Sequence, residues 1–275
     1  AGSVVTKDIP AGVIAAGVPA RVLRSIEPMT LISILLPDLR GGGAERVSVD
    51  LAREFVGAGF AVEFVLMQAA GAFLAEAQQI SSIHNLGVGR TRDALGPLAR
   101  YLRQRRPAAM IANMWPLTSV AVLAKLQAGY TGRLLVVEHN TLSRQYATWG
   151  WLHRRQMGAS LFLTYRWADA VAAVSAGSAD DLAVLTQLPR SRIQVLHNPI
   201  PGRAIPDAPA IAAAEALWKC PRGRRILTVG TLKEQKNHAL LLRAFNSISA
   251  TDARLMILGS GDEEPKLRQI AFKLQ

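Results

Sequence analysis

The sequence predicts an α/β protein built from doubly wound parallel sheets, and three observations carry that expectation. The apolar runs Leu31 to Leu36 and Ile226 to Val229 are each short enough for a buried strand, and each meets a glycine-bearing polar loop. Apolar residues then return at helical spacing, so both stretches read as strand, loop, helix. The chain has 275 residues, enough for two domains of ordinary size that each bury a core.

Composition narrows the class. With 50% hydrophobic and 19% charged residues the chain reads as globular, not disordered. Its single cysteine, Cys220, excludes an intramolecular disulfide and any cysteine-based zinc site, and makes the cytoplasm the expected compartment. The 32 Lys and Arg against 20 Asp and Glu leave a net charge of +12, which favours anionic partners: nucleotide diphosphates, acidic lipid or nucleic acid. No apolar run approaches the roughly 18 to 20 residues of a membrane span. The segment Leu117 to Leu126 is interrupted by Lys125, and Lys7, Asp8 and Pro10 break the continuous apolar core that a secretory signal needs.

In chain order, residues 1 to 28 come first. Gly and Pro interrupt their apolar residues, giving short extended pieces that cannot cover their own side chains, as in a solenoid coil without neighbours. Val5-Thr6-Lys7-Asp8-Ile9-Pro10 followed by Gly17-Val18-Pro19-Ala20-Arg21 resembles the closing coil and tail of hexapeptide-repeat acyltransferases, a left-handed β-helix family. The repeats and the catalytic histidine of that family precede this tail and have no counterpart here. Residues 1 to 28 are therefore expected to be a β-helix-like remnant of a neighbouring reading frame, with Met29 opening the rest; a genuine acyltransferase fusion is the alternative.

From Leu31 to Leu36 the chain reads as a strand, and Pro37 to Glu45 as its loop. Val47, Leu51 and Phe55 recur at four-residue spacing, and Gly57 and Gly59 stop the helix. Gly41, Gly42 and Gly43 suit positive φ or close approach to the backbone, as a phosphate at a helix start requires. The spacing is not a dinucleotide fingerprint, because Arg46 stands at the third glycine position, and no Gly-Lys-Ser/Thr follows to make a P-loop.

The alternation then continues. Ala61 to Met67, Ile83 to Leu86, Met110 to Ala112, Leu134 to Val137, Val171 to Val174 and Ile193 to Leu196 read as strands, with helices at Leu95 to Arg106 and around Leu117 to Ala128. A further helix runs through Leu185, capped by Ser178. Polar groups fall at three strand ends, where such sheets hold ligands: Glu138-His139-Asn140, Ser175, and His197-Asn198-Pro199.

Basic residues cluster twice. The first group is Arg90, Arg92, Arg100, Arg103, Arg105 and Arg106, and suits a solvated helix face. The second, Arg144, Arg154, Arg155 and Arg166, is interleaved with Tyr146, Trp149, Trp151, Phe162, Tyr165 and Trp167. Basic plus aromatic character suits an acceptor or anionic membrane surface.

Pro201 to Pro221 reads as a linker into the second domain. There Ile226 to Val229 leads into Gly230-Thr231-Leu232-Lys233-Glu234-Gln235-Lys236-Asn237-His238, and Arg254 to Leu258 leads into Gly259-Ser260-Gly261-Asp262 and a helix through Leu267 and Ile270. Free N–H groups at a helix start and the positive charge of Lys236 make the first of these loops an anion site.

Gly230-Thr231-Leu232 through Lys236-Asn237 to Ala244-Phe245 resembles the first βα unit of the donor domain in retaining glycosyltransferases of family 4, which have the GT-B fold. Gly42-Gly43-Ala44-Glu45 resembles the loop that closes the first βα unit of their acceptor-side domain. The resemblance implies two Rossmann-like domains, residues 29 to 202 and 203 to 275, the second incomplete. It also implies transfer of a sugar from a UDP- or GDP-linked donor to a glycan or lipid-linked acceptor with retention, in cell-surface polysaccharide synthesis.

No cofactor beyond that donor is implied, nor a metal. In the family the Lys236 position and an arginine after the glycine hold the donor diphosphate; here Thr231 replaces that arginine. The Gly42 and Gly43 backbone is the family's second phosphate contact. His139 matches the histidine that lines the sugar site, Ser175 with Gly177 the cleft wall, and His197-Asn198-Pro199 the hinge. The family's paired donor-site glutamates have no counterpart before Gln275, so this chain alone is expected to be inactive. A cytoplasmic location is expected from the cysteine usage, peripheral on the inner face of the membrane through the basic and aromatic group, and nucleic acid is not expected as a partner. A non-catalytic anion- or nucleic-acid-binding protein is the remaining alternative, and it leaves both glycine loops unexplained.

Overall fold

A computed structural model of the chain describes residues 6–8, 13–16, 18–25, 29–199, 202, 205–220, 222–248 and 252–274. The chain divides into two compact units, Ala1–Pro199 and Ile200–Gln275. Within the N-terminal segment, β1 (Val13–Ala16) and β2 (Arg21–Ser25) pair antiparallel as a separate two-stranded sheet. The rest of the acyltransferase-like pattern, at residues 1–5, 9–12, 17 and 26–28, lies outside the described residues.

The first unit alternates β3 (Leu31–Leu36), α1 (Gly43–Gly57), β4 (Ala61–Leu66), α2 (Leu74–Ile80), β5 (Ser82–Asn85), α3 (Leu95–Arg105), β6 (Ala109–Asn113) and α4 (Leu117–Ala128). It continues with β7 (Arg133–Glu138), α5 (Leu142–Gln145), α6 (Trp151–Thr164), β8 (Ala170–Ala173), α7 (Ala176–Thr186) and β9 (Ile193–Val195). These strands form one parallel seven-stranded sheet in the order β5-β4-β3-β6-β7-β8-β9.

Strand alternation divides the core in two. Ile34, Leu36, Phe64 and Leu66 pack with Val49 and Ala52 of α1 on one face. Leu35, Val65, Met110, Ala112 and Val136 pack with Leu98, Ala121, Leu161 and Leu182 on the other. Each fully buried Leu, Ile or Phe in these layers contributes about 1.5–3 kcal/mol.

Two readings are corrected, and one helix is added. Ser175, not Ser178, caps α7: its side chain accepts from the Ser178 N–H at 3.2 Å, and Ser178 itself lies inside the first turn. The alanine-rich part of the linker is a helix, α8 (Ala208–Ala216), capped by Asp207, which accepts from the Ala210 N–H at 3.0 Å, with Pro209 tolerated in the first turn. The basic and aromatic stretch forms α6, whose first six residues, Trp151 to Gln156, are all exposed. With no buried face there, the apolar spacing carries no helical period.

The second unit continues with β10 (Arg225–Val229), α9 (His238–Asn246), β11 (Arg254–Leu258) and α10 (Glu264–Lys273), the two strands pairing in parallel. Val229 is 70% exposed and Leu227 52%. The backbone loops after β10 and β11 are joined by Gly230 N–H to Leu258 O at 2.9 Å, Leu232 N–H to Ser260 O at 2.9 Å and Glu263 N–H to Leu232 O at 3.1 Å. A Cβ on Gly259 would lie 1.9 Å from the Gly230 carbonyl oxygen, so only glycine permits that approach.

A similar close approach supports the glycine-rich loop after β3. Leu39 N–H donates to Ala70 O at 2.8 Å and Phe73 N–H to Leu39 O at 3.1 Å. Gly71, at φ +123°, brings its backbone so near that a Cβ would lie 2.0 Å from the Leu39 carbonyl carbon. Gly71→Ala is therefore expected to destabilise the first unit by at least about 1–3 kcal/mol, the usual cost of such a backbone alone. Equilibrium urea unfolding checks it, and an unchanged midpoint would show that the two loops are not coupled.

Candidate functional site

The sheet order reverses beside β3, because β4 and β5 extend to one side and β6 to β9 to the other. Loops leaving β3 and β6 consequently diverge, and a crevice opens at their carboxyl ends. Asn113 ends β6 and His139 follows β7 there. His139 Nε2 lies 3.0 Å from Asn113 Oδ1, while Asn113 Nδ2 donates to Leu35 O at 3.2 Å and Ile111 O at 3.4 Å. Both residues line a cavity of about 340 Å³ on the α1 side of the sheet, with Ile34, Phe55, Val137 and Pro199 among its walls. Burial holds the imidazole pKa of His139 down at about 4, so the ring is neutral near pH 7.

Glu138 occupies the neighbouring position and, by the alternation of the strand, faces the opposite layer. It is 1% exposed. Its Oε1 accepts from Thr118 Oγ1 at 3.0 Å and from the Tyr165 hydroxyl, and its Oε2 accepts from the Trp115 N–H at 3.2 Å. Burial raises its carboxyl pKa to about 7, and those three donors only partly oppose it. Through Trp115 this carboxyl holds the β6–α4 loop against β7. Sequence reading placed Glu138 at a strand end but missed Thr118 and Tyr165, whose hydroxyls come from α4 and the turn after α6.

Of the three glycines after β3, only Gly41 has a left-handed φ, +104°. Gly42 is the N-cap of α1, and the Glu45 carboxylate folds over it so closely that a Cβ would lie 2.3 Å from Oε2. Gly43 has open space on its Cβ side. The open backbone approach is thus at Gly43, and an anion there would meet the Glu45 charge unless that side chain turned away. Arg46, one residue on, braces the helix start through Glu76 at 2.7 Å and Asp50 at 2.7 Å.

In the second unit, Gly230, Thr231 and Lys236 are brought together in the loop after β10. The Lys236 Cε lies 3.7 Å from where a Gly230 Cβ would stand, and Thr231 and Lys236 are exposed. Among the described residues, no carboxylate lies within ion-pair distance of Lys236. Elsewhere in the first unit, His197 donates its ring N–H to Val174 O at 3.2 Å, joining the ends of β8 and β9.

The aromatic group also sorts by depth. Trp115, Tyr146, Trp149 and His153 form a chain of ring contacts with centroids 5.2, 4.3 and 5.8 Å apart. Trp149 and Trp151 reach solvent at 41% and 71% exposure, and Arg155 stacks 5.5 Å above Trp151. Tyr165, by contrast, is fully buried on Glu138 and takes no part in the surface suggested by its position in the sequence. Among the described residues no helix is long and apolar enough to cross a membrane.

Residues 41–201 match the family model for Glycosyltransferase Family 4. An N-acetylgalactosamine-N,N'-diacetylbacillosaminyl-diphospho-undecaprenol 4-alpha-N-acetylgalactosaminyltransferase of Campylobacter jejuni is 33% identical over 99 residues, 36% of this chain and 25% of that relative. Among solved structures, Anabaena HepE in complex with UDP and glucose matches with a TM-score of 0.70 at 17% identity, over 89% of this chain and 66% of that one. The lipopolysaccharide outer core galactosyltransferase WaaB in its apo form matches with a TM-score of 0.60 at 15% identity, over 90% and 65%. At these identities the likeness is one of fold, and the chain spans less than two thirds of the length of these relatives.

The raised carboxyl of Glu138 makes a prediction about pH. Between its ordinary value of 4.5 and about 7, the folded chain keeps a proton that the unfolded chain has released. Its contribution to stability therefore falls as pH rises through that window and levels off above it. Glu138→Gln removes the dependence. Chemical denaturation of both proteins should show the variant gaining on the order of 3 kcal/mol relative to wild type between pH 4.5 and 7.5. Parallel pH profiles would mean that Glu138 is not the group retaining the proton.

Proposed function

The chain belongs to Glycosyltransferase Family 4, and on that premise we propose that it transfers a sugar from a UDP- or GDP-linked donor to a glycan or lipid-linked acceptor, with retention of configuration. The observation that carries the donor assignment is the loop after β10, where an exposed lysine, without a carboxylate partner among the described residues, folds over Gly230 at the end of a parallel strand. A diphosphate there meets one mobile cation.

The chemistry has simple requirements. The bond between the anomeric carbon and the diphosphate oxygen breaks, the diphosphate leaves with the bonding electrons, and the acceptor hydroxyl oxygen bonds to the same face of the carbon. The hydroxyl proton leaves with the diphosphate. Lys236 stabilises the charge that develops on the leaving group, an electrostatic contribution that grows along the reaction. Gly43 offers backbone approach at the start of α1, and His139, neutral, acts as a polar wall of the sugar site. Residues 1–28 have no part in this chemistry.

The acceptor class is supported by the names of the relatives, which concern a diphospho-undecaprenol-linked sugar and a lipopolysaccharide core. The exposed start of α6 fits such a substrate. Arg144, Arg154 and Arg155 are exposed beside Trp149 and Trp151, basic heads next to amphipathic rings, as at a lipid interface. We place the protein on the cytoplasmic face of the membrane, held by this patch.

Two measurements test the reading. Lys236→Ala should weaken UDP- or GDP-sugar binding about 10- to 100-fold by calorimetry, the usual effect of losing a charge-assisted contact, with an unchanged circular dichroism spectrum. Unaltered affinity would remove Lys236 from the donor site. In vesicle co-sedimentation, the chain should bind anionic vesicles and lose that binding sharply with salt, each basic residue near the surface contributing about 1 kcal/mol. Equal binding to neutral vesicles would overturn the electrostatic part of the membrane assignment.

A further inference from the structure

Asn113 is 3% exposed, and its amide has only one orientation that satisfies its neighbours. Carbonyl oxygens only accept, so the amide nitrogen must face Leu35 O at 3.2 Å and Ile111 O at 3.4 Å. The amide oxygen then faces His139 Nε2 at 3.0 Å, and an oxygen acceptor there requires the ring proton on Nε2. A neutral imidazole carries one proton, so Nδ1 is left with its lone pair. Among the described residues Nδ1 has no hydrogen-bond partner, and it is shielded from water. Burying an acceptor unpaired is unfavourable, and such unpaired groups persist at functional sites.

We infer that Asn113 is a positioning residue of the transfer site: it fixes His139 as the Nε2–H tautomer, so that Nδ1 can only accept a hydrogen bond, from a hydroxyl or amide N–H of the sugar. The ligand half of this inference rests on the glycosyl-transfer reading. The tautomer half rests on the three contacts of Asn113. A phosphate oxygen is itself an acceptor and cannot pair with this nitrogen, so His139 discriminates for the sugar and against the diphosphate. The chain from Leu35 on β3 through Asn113 on β6 to His139 after β7 links three strands across the switch point, and the direction of every bond in it follows from one backbone carbonyl.

The test is proton NMR of the 275-residue chain with nitrogen-15 in its five histidines, recorded without nucleotide sugar. The His139 signal is assigned by its loss in His139→Gln. The expected result is a slowly exchanging ring proton on Nε2 alone, exchanging about tenfold faster or more in Asn113→Val, which lacks the acceptor, and retained in Asn113→Asp, which keeps one. A ring proton on Nδ1 in the wild type would overturn the inference. So would the same exchange rate in Asn113→Val. Should Asn113→Val fail to fold, the wild-type spectrum and Asn113→Asp still decide. No donor is present, so this outcome is independent of the glycosyl-transfer reading; a Nε2 proton found together with unchanged nucleotide-sugar affinity in His139→Gln would overturn the sugar contact alone.

Discussion

β3 is hydrogen-bonded to β4 along one edge and to β6 along the other, and most of the first unit's organisation depends on that divergence. A parallel strand pair needs a crossover, and crossovers keep one hand, so the chain that builds outward through β4 and β5 must place its helices on one face and the chain through β6 to β9 on the other. The crevice between the two departures is lined by whatever residues end β3, β6 and β7. Asn113 and His139 are there for that reason.

The same geometry explains how two adjacent polar residues receive opposite treatment. Glu138 and His139 alternate across the sheet, so one is sealed in the layer of α4, α6 and α7 and the other lines the cavity beside α1. Burial shifts each toward its neutral form, raising the carboxyl to about 7 and lowering the imidazole to about 4. The cavity beside α1 is therefore lined by an imidazole that is neutral near pH 7, while the carboxyl next to it in sequence lies on the other side of the sheet.

Backbone proximity is the common device of the loops in both units. Gly71 against Leu39 and Gly259 against Gly230 let two strand-end loops approach within hydrogen-bonding distance, which converts flexible connections into supports for the residues they carry. Ring contacts do comparable work around Trp115, which joins the Glu138 network on one side and the exposed aromatic patch on the other.

By itself the sequence determined the α/β alternation, every strand of the two parallel sheets to within a residue or two, the two glycine loops, the position of His139 at a strand end and that of Lys236 in the loop after β10. These features are local: an apolar run bounded by a glycine, or a polar group placed just after a strand, is written in contiguous residues. The partners were decided only by the tertiary structure. Nothing in the spacing of Asn113, Leu35 and His139 indicates that they meet, because strand order in a parallel sheet is not written in chain order. Tyr165 looked like a surface aromatic until α6 turned it onto Glu138. The exposed start of α6 has no period because none of its first six residues is buried, and Gly71 could not be distinguished from any other loop glycine without the contact with Leu39. Sequence fixes which groups stand at strand ends; the order and twist of the sheet decide which of them touch.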